Sequence, residues 1–194
     1  EWVSALDESD ARRQILEMIA ANGLPTTSDE VWRYAPLRDL DLDSYGPATA
    51  APHSPKFVEL LTQQADVVIR VDNDRVTEVA GDITGVTVTA GRHDSFFDVT
   101  KYDDDAFARL NQGLHPHTLH ISVDAGVAAG TVVIDHRFGS GASFPRTQVH
   151  VERGAAISVI EVWSGGDQSL VVPVSEFHVG DDARLTHVAY QRLA

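Results

Sequence analysis

Residues 150–160, HVERGAAISVI, and residues 178–188, HVGDDARLTHV, decide the fold. Each opens on His-Val, crosses a short turn to an alanine and resumes with spaced apolar residues. These are Ala155, Ile157 and Ile160 in the first copy, and Ala183, Leu185 and Val188 in the second. The offset is 28 residues, from 150 to 178. A repeat of this length made only of strands and turns predicts a coiled solenoid, each turn of chain stacking its apolar residues on the next. His150 and His178 then sit one above the other. With two copies, a jelly roll or sandwich is the competing all-β arrangement.

Outward from these copies, everything after His117 reads as short strands: Leu119 to Val123, Thr131 to Ile134, Thr147 to Val151, Ala156 to Val162, Leu170 to Val174, Glu176 to Val179 and Arg184 to Gln191. No helical period interrupts them. Upstream, Asp103 to Gln112 predicts a short helix, its leading aspartates suited to the positive end of the helix dipole and Phe107, Leu110 and Leu114 sharing a face. Val86 to Thr89 is another β segment. From Asp66 the chain alternates, with Val67, Ile69 and Val71 on one face and Val68, Arg70 and Asp72 on the other. Asp72, Asn73 and Asp74 turn it into Val76 to Val79, a hairpin in which Asn or Asp takes positive φ. Pro55 to Leu61 reads as helix, and Asp39 to Pro55 as a linker or wrapped loop. Near the start, Asp7, Ser9 and Asp10 precede Ile15, Leu16 and Ile19, and Gly23 with Pro25 closes the run, which predicts a helix of about three turns. Thr26 to Ser28 cap a second short helix through Trp32.

Composition narrows the function. The 194 residues suffice for a real core. A formal charge of −14, from 29 acids and 15 bases, repels phosphate backbones, so nucleic acid is not an expected partner. No stretch approaches the apolar run that crosses a bilayer, and no basic segment leads into an apolar one, so no membrane or secretory role is expected. Residue 1 is Glu1 and the sole methionine is Met18, so the natural N-terminus is expected to lie upstream. There is no cysteine. This segment therefore cannot hold an iron–sulfur cluster through thiolates, and it has no disulfide, in keeping with a reducing compartment.

Candidate chemistry is sparse. His115, His117 and His120 form the densest group of potential ligands, but no acid follows at a spacing that completes a cupin-like metal site. They read as a polar loop entering a strand. His150 and His178 read as a structural ladder. Phe138 to Phe144 contains Gly-Ser-Gly, yet it fits neither a nucleophile elbow nor a P-loop, and reads as a turn between coils. Glu152, Glu161 and Glu176 are separated by strands without an acid–base partner, so solvated positions are expected. Trp2, Trp32 and Trp163 are scattered and read as packing residues. No catalytic or metal-binding residue is assigned, and no cofactor-binding residue can be named.

Several motifs recur together. Gly23-Leu-Pro-Thr26 is followed by Asp29-Glu30, Trp32-Arg-Tyr34 and Pro36-Leu37. Val67 to Val76 with Gly85-Val86 follows, then Phe107, Leu110 and Asn111. Pro145-Arg146 leads through Gly154-Ala155 to Glu161, and Glu176, Val179, Gly180, Ala183, Leu185 and Gln191 close the series. In order and spacing these resemble the SufB/SufD family of SUF iron–sulfur cluster assembly subunits, and the opening resembles its SufD branch. Asn73-Asp74 and His115-Pro-His117 depart from it, where the family more often has Gly-containing turns.

The resemblance implies a mainly β fold. A small helical N-terminal region with a β-hairpin, residues 1–112, leads into the first coils of a right-handed parallel β-helix, residues 113–194. It implies a non-catalytic, cytoplasmic scaffold acting with SufB and the ATPase SufC, through regions largely beyond residue 194. No cofactor is expected in this segment; the assembled complex carries a transient Fe–S cluster, with ATP on SufC. None of the histidines here matches the family's interface histidine. Two other classes compete: a carbohydrate-active β-helix enzyme, which needs grouped carboxylates or a basic cleft, and a cupin-like metal protein at His115. If the stack of strands continues past Ala194, its last rung here leaves backbone groups and apolar side chains uncovered. Dimerisation or aggregation through that end is the expected outcome, and light scattering showing a clean monomer across a wide concentration range would contradict it.

Overall fold

The computed structural model describes residues 40–91 and 105–193, together with short pieces between residues 13 and 37. Of the helix expected around Ile15, Leu16 and Ile19, those three residues lie outside the described residues, while Arg13, Glu17, Ala20 and Ala21 within its span are helical; Trp2 and the first two aspartates of Asp103 to Asp105 also lie outside the described residues. The described chain is mainly β with few helices. Short 3-10 turns occur at Glu30–Trp32 and Leu42–Ser44, and α1 spans Lys56–Thr62.

The hairpin forms as its alternation predicts. Strand β1 (Val67–Asp72) pairs antiparallel with β2 (Arg75–Gly81), and Asn73 takes φ 58° in the turn. β3 (Val86–Gly91) pairs antiparallel with β4 (Thr118–Val123). Between these two lies α2 (Ala106–Leu114), which starts later and ends later than the sequence indicates. Its start is set by Asp105, whose side chain accepts from Phe107 N at 2.8 Å and Ala108 N at 3.0 Å. Asp105 is thus the N-cap, not a residue of the first turn.

From β4 onward the chain makes a three-sided circuit. It runs through β5 (Ala128–Phe138), β6 (Gly141–Ser143) and β7 (Arg146–Val151), then repeats with β8 (Ala156–Gly165), β9 (Ser169–Val171) and β10 (Val174–Val179) before β11 (Arg184–Arg192). Every pairing between successive circuits is parallel: β4 with β7 with β10, β5 with β8 with β11, and β6 with β9. His150 is the register partner of His178, the offset of 28 read from sequence. The hairpin joins the same stack, because β1 lies parallel beside β5. Three sheets result, ordered β11-β8-β5-β1-β2, β10-β7-β4-β3 and β6-β9.

Corners and turns recur with the strands. Gly126, Gly154 and Asp182 all adopt left-handed φ, at 74°, 70° and 57°. Each lies one residue before the turn closes: Val127 N donates to Asp124 O, Ala155 N to Glu152 O and Ala183 N to Gly180 O. Successive turns are bonded as well, Gly126 N to Arg153 O at 3.0 Å and Gly154 N to Asp181 O at 2.9 Å. Pro145 and Pro173 mark another corner, and Pro173 is why the expected strand Leu170 to Val174 breaks after Val171. Proline donates no ladder hydrogen bond.

The core lies between the sheets. Ile121, Val149 and Phe177 stack in one row, and Val67, Val132 and Val159 in another. The core residues here are Ala155, just before β8, and Ile157 and Val159 within it; Ile160, the third apolar residue of the sequence copy, stacks on Val188 as the repeat predicts but outside the core. Alternation along the strand turns Ile160 outward, and its counterpart Val188 is 48% exposed. The segment Phe138 to Phe144 is a corner plus β6, and residues 46–49 lie across it. Thr49 N donates to Ser140 O at 2.8 Å and Ala142 N to Gly46 O at 2.9 Å. A side chain at Gly141 would meet Pro47 O at 2.7 Å, so the glycine admits this strap.

Tight stacking of the turns makes Gly180 a sensitive position. A Cβ there would lie 2.9 Å from Arg153 N and 3.2 Å from Val151 O, both backbone atoms of the preceding turn. Gly180→Ala is expected to lower stability by about 1–3 kcal/mol, whereas Gly166→Ala, with nothing within 4 Å, is expected to be neutral or slightly stabilising. Urea unfolding midpoints of the two variants check this, and equal midpoints would rule out the stacked turn.

Candidate functional site

Among the described residues, two buried polar networks and one open margin adjoin the stacked circuits. The first grows out of the core row that contains Ile69 and Ile134. In the next circuit its position is taken by Glu161, and in the one after by Ala189. Glu161 is therefore an interior carboxylate, 2% exposed. It accepts from His187 Nε2 at 3.0 Å and lies 3.4 Å from His136 Nε2 and from Ser175 Oγ. Ala189 is small enough to leave room for His187 to reach in from β11. His136 stacks on its register partner Trp163, with ring centroids 3.9 Å apart, and Phe138 lies parallel to both.

Burial pushes the Glu161 carboxyl up. Hydrogen bonds and positive charge from His136 and His187 outweigh this and hold it down to about 2. The group resembles catalytic furniture without its connectivity. Ser175 donates to the carboxylate and not to an imidazole, so no base activates the hydroxyl.

The second network fixes α2 to the coil. Asn111 is fully buried, and its Nδ2 donates to Pro145 O at 2.9 Å and Val172 O at 2.8 Å, bridging two successive corners. Its Oδ1 accepts from Arg146 at 3.1 Å. Arg146 in turn donates to Glu176 Oε2 at 2.7 Å, and Gln148 donates to the same oxygen at 3.0 Å. Burial pushes the Arg146 guanidinium down, while the charge of Glu176 opposes the shift. Removing one partner of such a buried pair costs more than the pair contributes, because a bare charge is left behind.

These networks correct two expectations. Glu161 and Glu176 are buried and paired, not solvated; only Glu152 of the three is exposed. Strand parity carried the signal for Glu161, since it follows the inward residues Ile157 and Val159 by the same step of two. Glu176 offered no comparable signal, because its cover comes from a helix distant in sequence.

The histidines occupy different settings. His150 and His178 are neighbours, with centroids 4.5 Å apart and rings edge to face. His115 is buried, and its Nδ1 lies 2.9 Å from Asn111 O at the end of α2. His120 stands on β4 opposite Gln148. Among the described residues no three His, Asp or Glu side chains are grouped as a metal ion requires. Trp163 is buried in the stack, and Trp32 packs on Phe107 with centroids 5.0 Å apart.

The open margin is formed by β10 and β11, the outermost strands of their sheets on the same side. Val179, Val188, Tyr190 and Leu193 are 40–48% exposed there. Phe57 of α1 covers one side of Tyr190, with centroids 5.1 Å apart.

Residues 133–194 match the family model described as SUF system FeS cluster assembly, SufBD core domain. The match begins in β5 and runs through every later strand of the stack. Over those residues the chain is similar to the core domain that SufB and SufD share, and the likeness does not single out SufD. No curated protein matches the chain.

The depressed Glu161 value sets an acid response. Its carboxyl is held below the unfolded value of 4.5, so its stabilisation is fully present above that pH and is lost as pH falls from 4.5 through about 2. Glu161→Gln is expected to remove on the order of 3 kcal/mol at neutral pH and to flatten the pH dependence across that window. Urea midpoints of both proteins at neutral pH and midway through the window measure it; parallel pH profiles would refute it.

Proposed function

We propose that the chain is a non-catalytic scaffold of the SufD type, working with SufB and the ATPase SufC in iron–sulfur cluster assembly in the cytoplasm. The observation that carries this reading is the coincidence of the family match with the stacked circuits, from Val133 to the last strand. On this reading the circuits are coils of a right-handed parallel β-helix. Residues 1–112 form the N-terminal region and residues 113–194 the first coils.

Physical argument supports a scaffold. Side chains fill the space between the sheets, leaving work for the flanks and margins of the coil, which present long regular surfaces to other proteins. The cluster is cargo of the assembly. With no cysteine in the sequence, this segment offers no thiolate to hold it. A carbohydrate-active enzyme would need carboxylates facing a substrate, whereas Glu161 and Glu176 face imidazole and guanidinium inside the protein.

Affinity purification of the full-length protein from cells expressing the SUF components tests the proposal. Recovery of SufB and SufC is the expected result. Their absence, or hydrolase or lyase activity on an acidic polysaccharide, would overturn it.

A further inference from the structure

The outer face of β1 and β5 carries a cleft of about 310 Å³ that the scaffold reading does not use. Its floor is Asp135 on β5, which is 0% exposed. One carboxylate oxygen, Oδ2, accepts from Ser54 Oγ at 2.5 Å. The nearest cation, Arg70 Nε, is 3.9 Å from that oxygen, beyond hydrogen-bond range, and the Arg70 guanidinium is engaged by Glu78. The other oxygen, Oδ1, has no hydrogen-bond donor among the described residues. A carboxylate has about four lone-pair sites, and burying one with a single donor is costly.

The walls indicate what donor is missing. Glu59 and Thr62 of α1 both line the cleft, and their spacing of three sets them on one face of the helix. They add a carboxylate and a hydroxyl above the floor. Two arginines also line it, but both are committed: Arg70 to Glu78, and Arg137 to Asp72 through its Nε at 2.8 Å. The remaining carboxylates, Asp135 and Glu59, leave the cleft with surplus negative charge and surplus acceptors. Ser54 lies between the strap and α1 and is partly exposed, so rotation of its side chain opens the floor.

We infer that this cleft binds a primary ammonium group, with its three N–H donors directed to Asp135 Oδ1, the Glu59 carboxylate and the Thr62 hydroxyl. The inference goes beyond assembly with other SUF subunits and stands apart from it. An ammonium group reaches such a site either on a small free amine or on a lysine side chain of a protein.

Titration of the protein with n-butylammonium, followed through backbone amide chemical shifts, tests the site. Saturable shifts at Ser54, Thr62 and Arg70 in the millimolar range are expected, with none from n-butanol or propionate. Asp135→Asn should abolish them, and Glu59→Gln, on the exposed side of a helix, should weaken binding about tenfold through loss of one charge-assisted hydrogen bond. Should Asp135→Asn fail to fold, Glu59→Gln alone decides. An N-acetylated, C-amidated Gly-Lys-Gly peptide, whose sole primary ammonium is the lysine side chain, identifies a protein lysine as the source if it shifts the same residues more tightly, and weaker binding than the free amine identifies a small molecule. Absence of saturable shifts, an equal response to n-butanol, or binding unchanged in Glu59→Gln would overturn the inference.

Discussion

Parallel registration between successive circuits is the constraint on which the rest of this structure depends. It is held at the turns, where Gly126 and Gly154 each donate to a carbonyl of the turn one circuit later. A turn that closes with one residue in the left-handed region has a fixed length and direction, so the strands on either side return to the same register in every circuit. Rows of like position then form through the core, and apolar residues cover one another without any hairpin between the stacked strands. The non-local pairing this requires costs chain entropy, which a repeated, hydrogen-bonded turn offsets at each circuit.

Registration also decides where polarity is tolerated. The row Ile69, Ile134, Glu161, Ala189 changes from aliphatic to ionic within one step. The change is stable because imidazoles from the circuits on both sides, His136 and His187, meet the carboxylate. On the outside of the neighbouring sheet the same logic holds: Arg146, Gln148 and Glu176 pair only because α2 closes over them, with Asn111 bridging the corners at Pro145 and Val172. Buried polar groups of this kind add little net stability, but each penalises any register in which its partner is displaced. They act as keys for the stacking that the turns establish.

A coil filled in this way has few places for small-molecule chemistry. Its accessible features are its margins, where β10 and β11 show apolar side chains, and its outer face, where α1 and the residues leading into it leave a charged cleft. The match to the SufBD core domain covers the strands that form the margin. The cleft lies where the N-terminal elements meet the stack, so it depends on segments far apart in the chain.

The amino-acid sequence by itself determined the repeat: the two His-Val segments, the left-handed turn residues and the strand alternation are local signals, each readable within a dozen residues. It also held the β1–β2 turn, since Asn73 tolerates positive φ where most residues do not. The tertiary structure alone decided which polar residues are buried. A one-residue irregularity between Ala128 and Thr131 shifts β5 against β8, so that Ile134 and not Val133 stands beside Glu161. Asp135 reaches its full burial only when Ser54, 81 residues earlier, crosses above it. Burial of a charge depends on partners brought from other parts of the chain, and no local pattern of residues encodes their arrival.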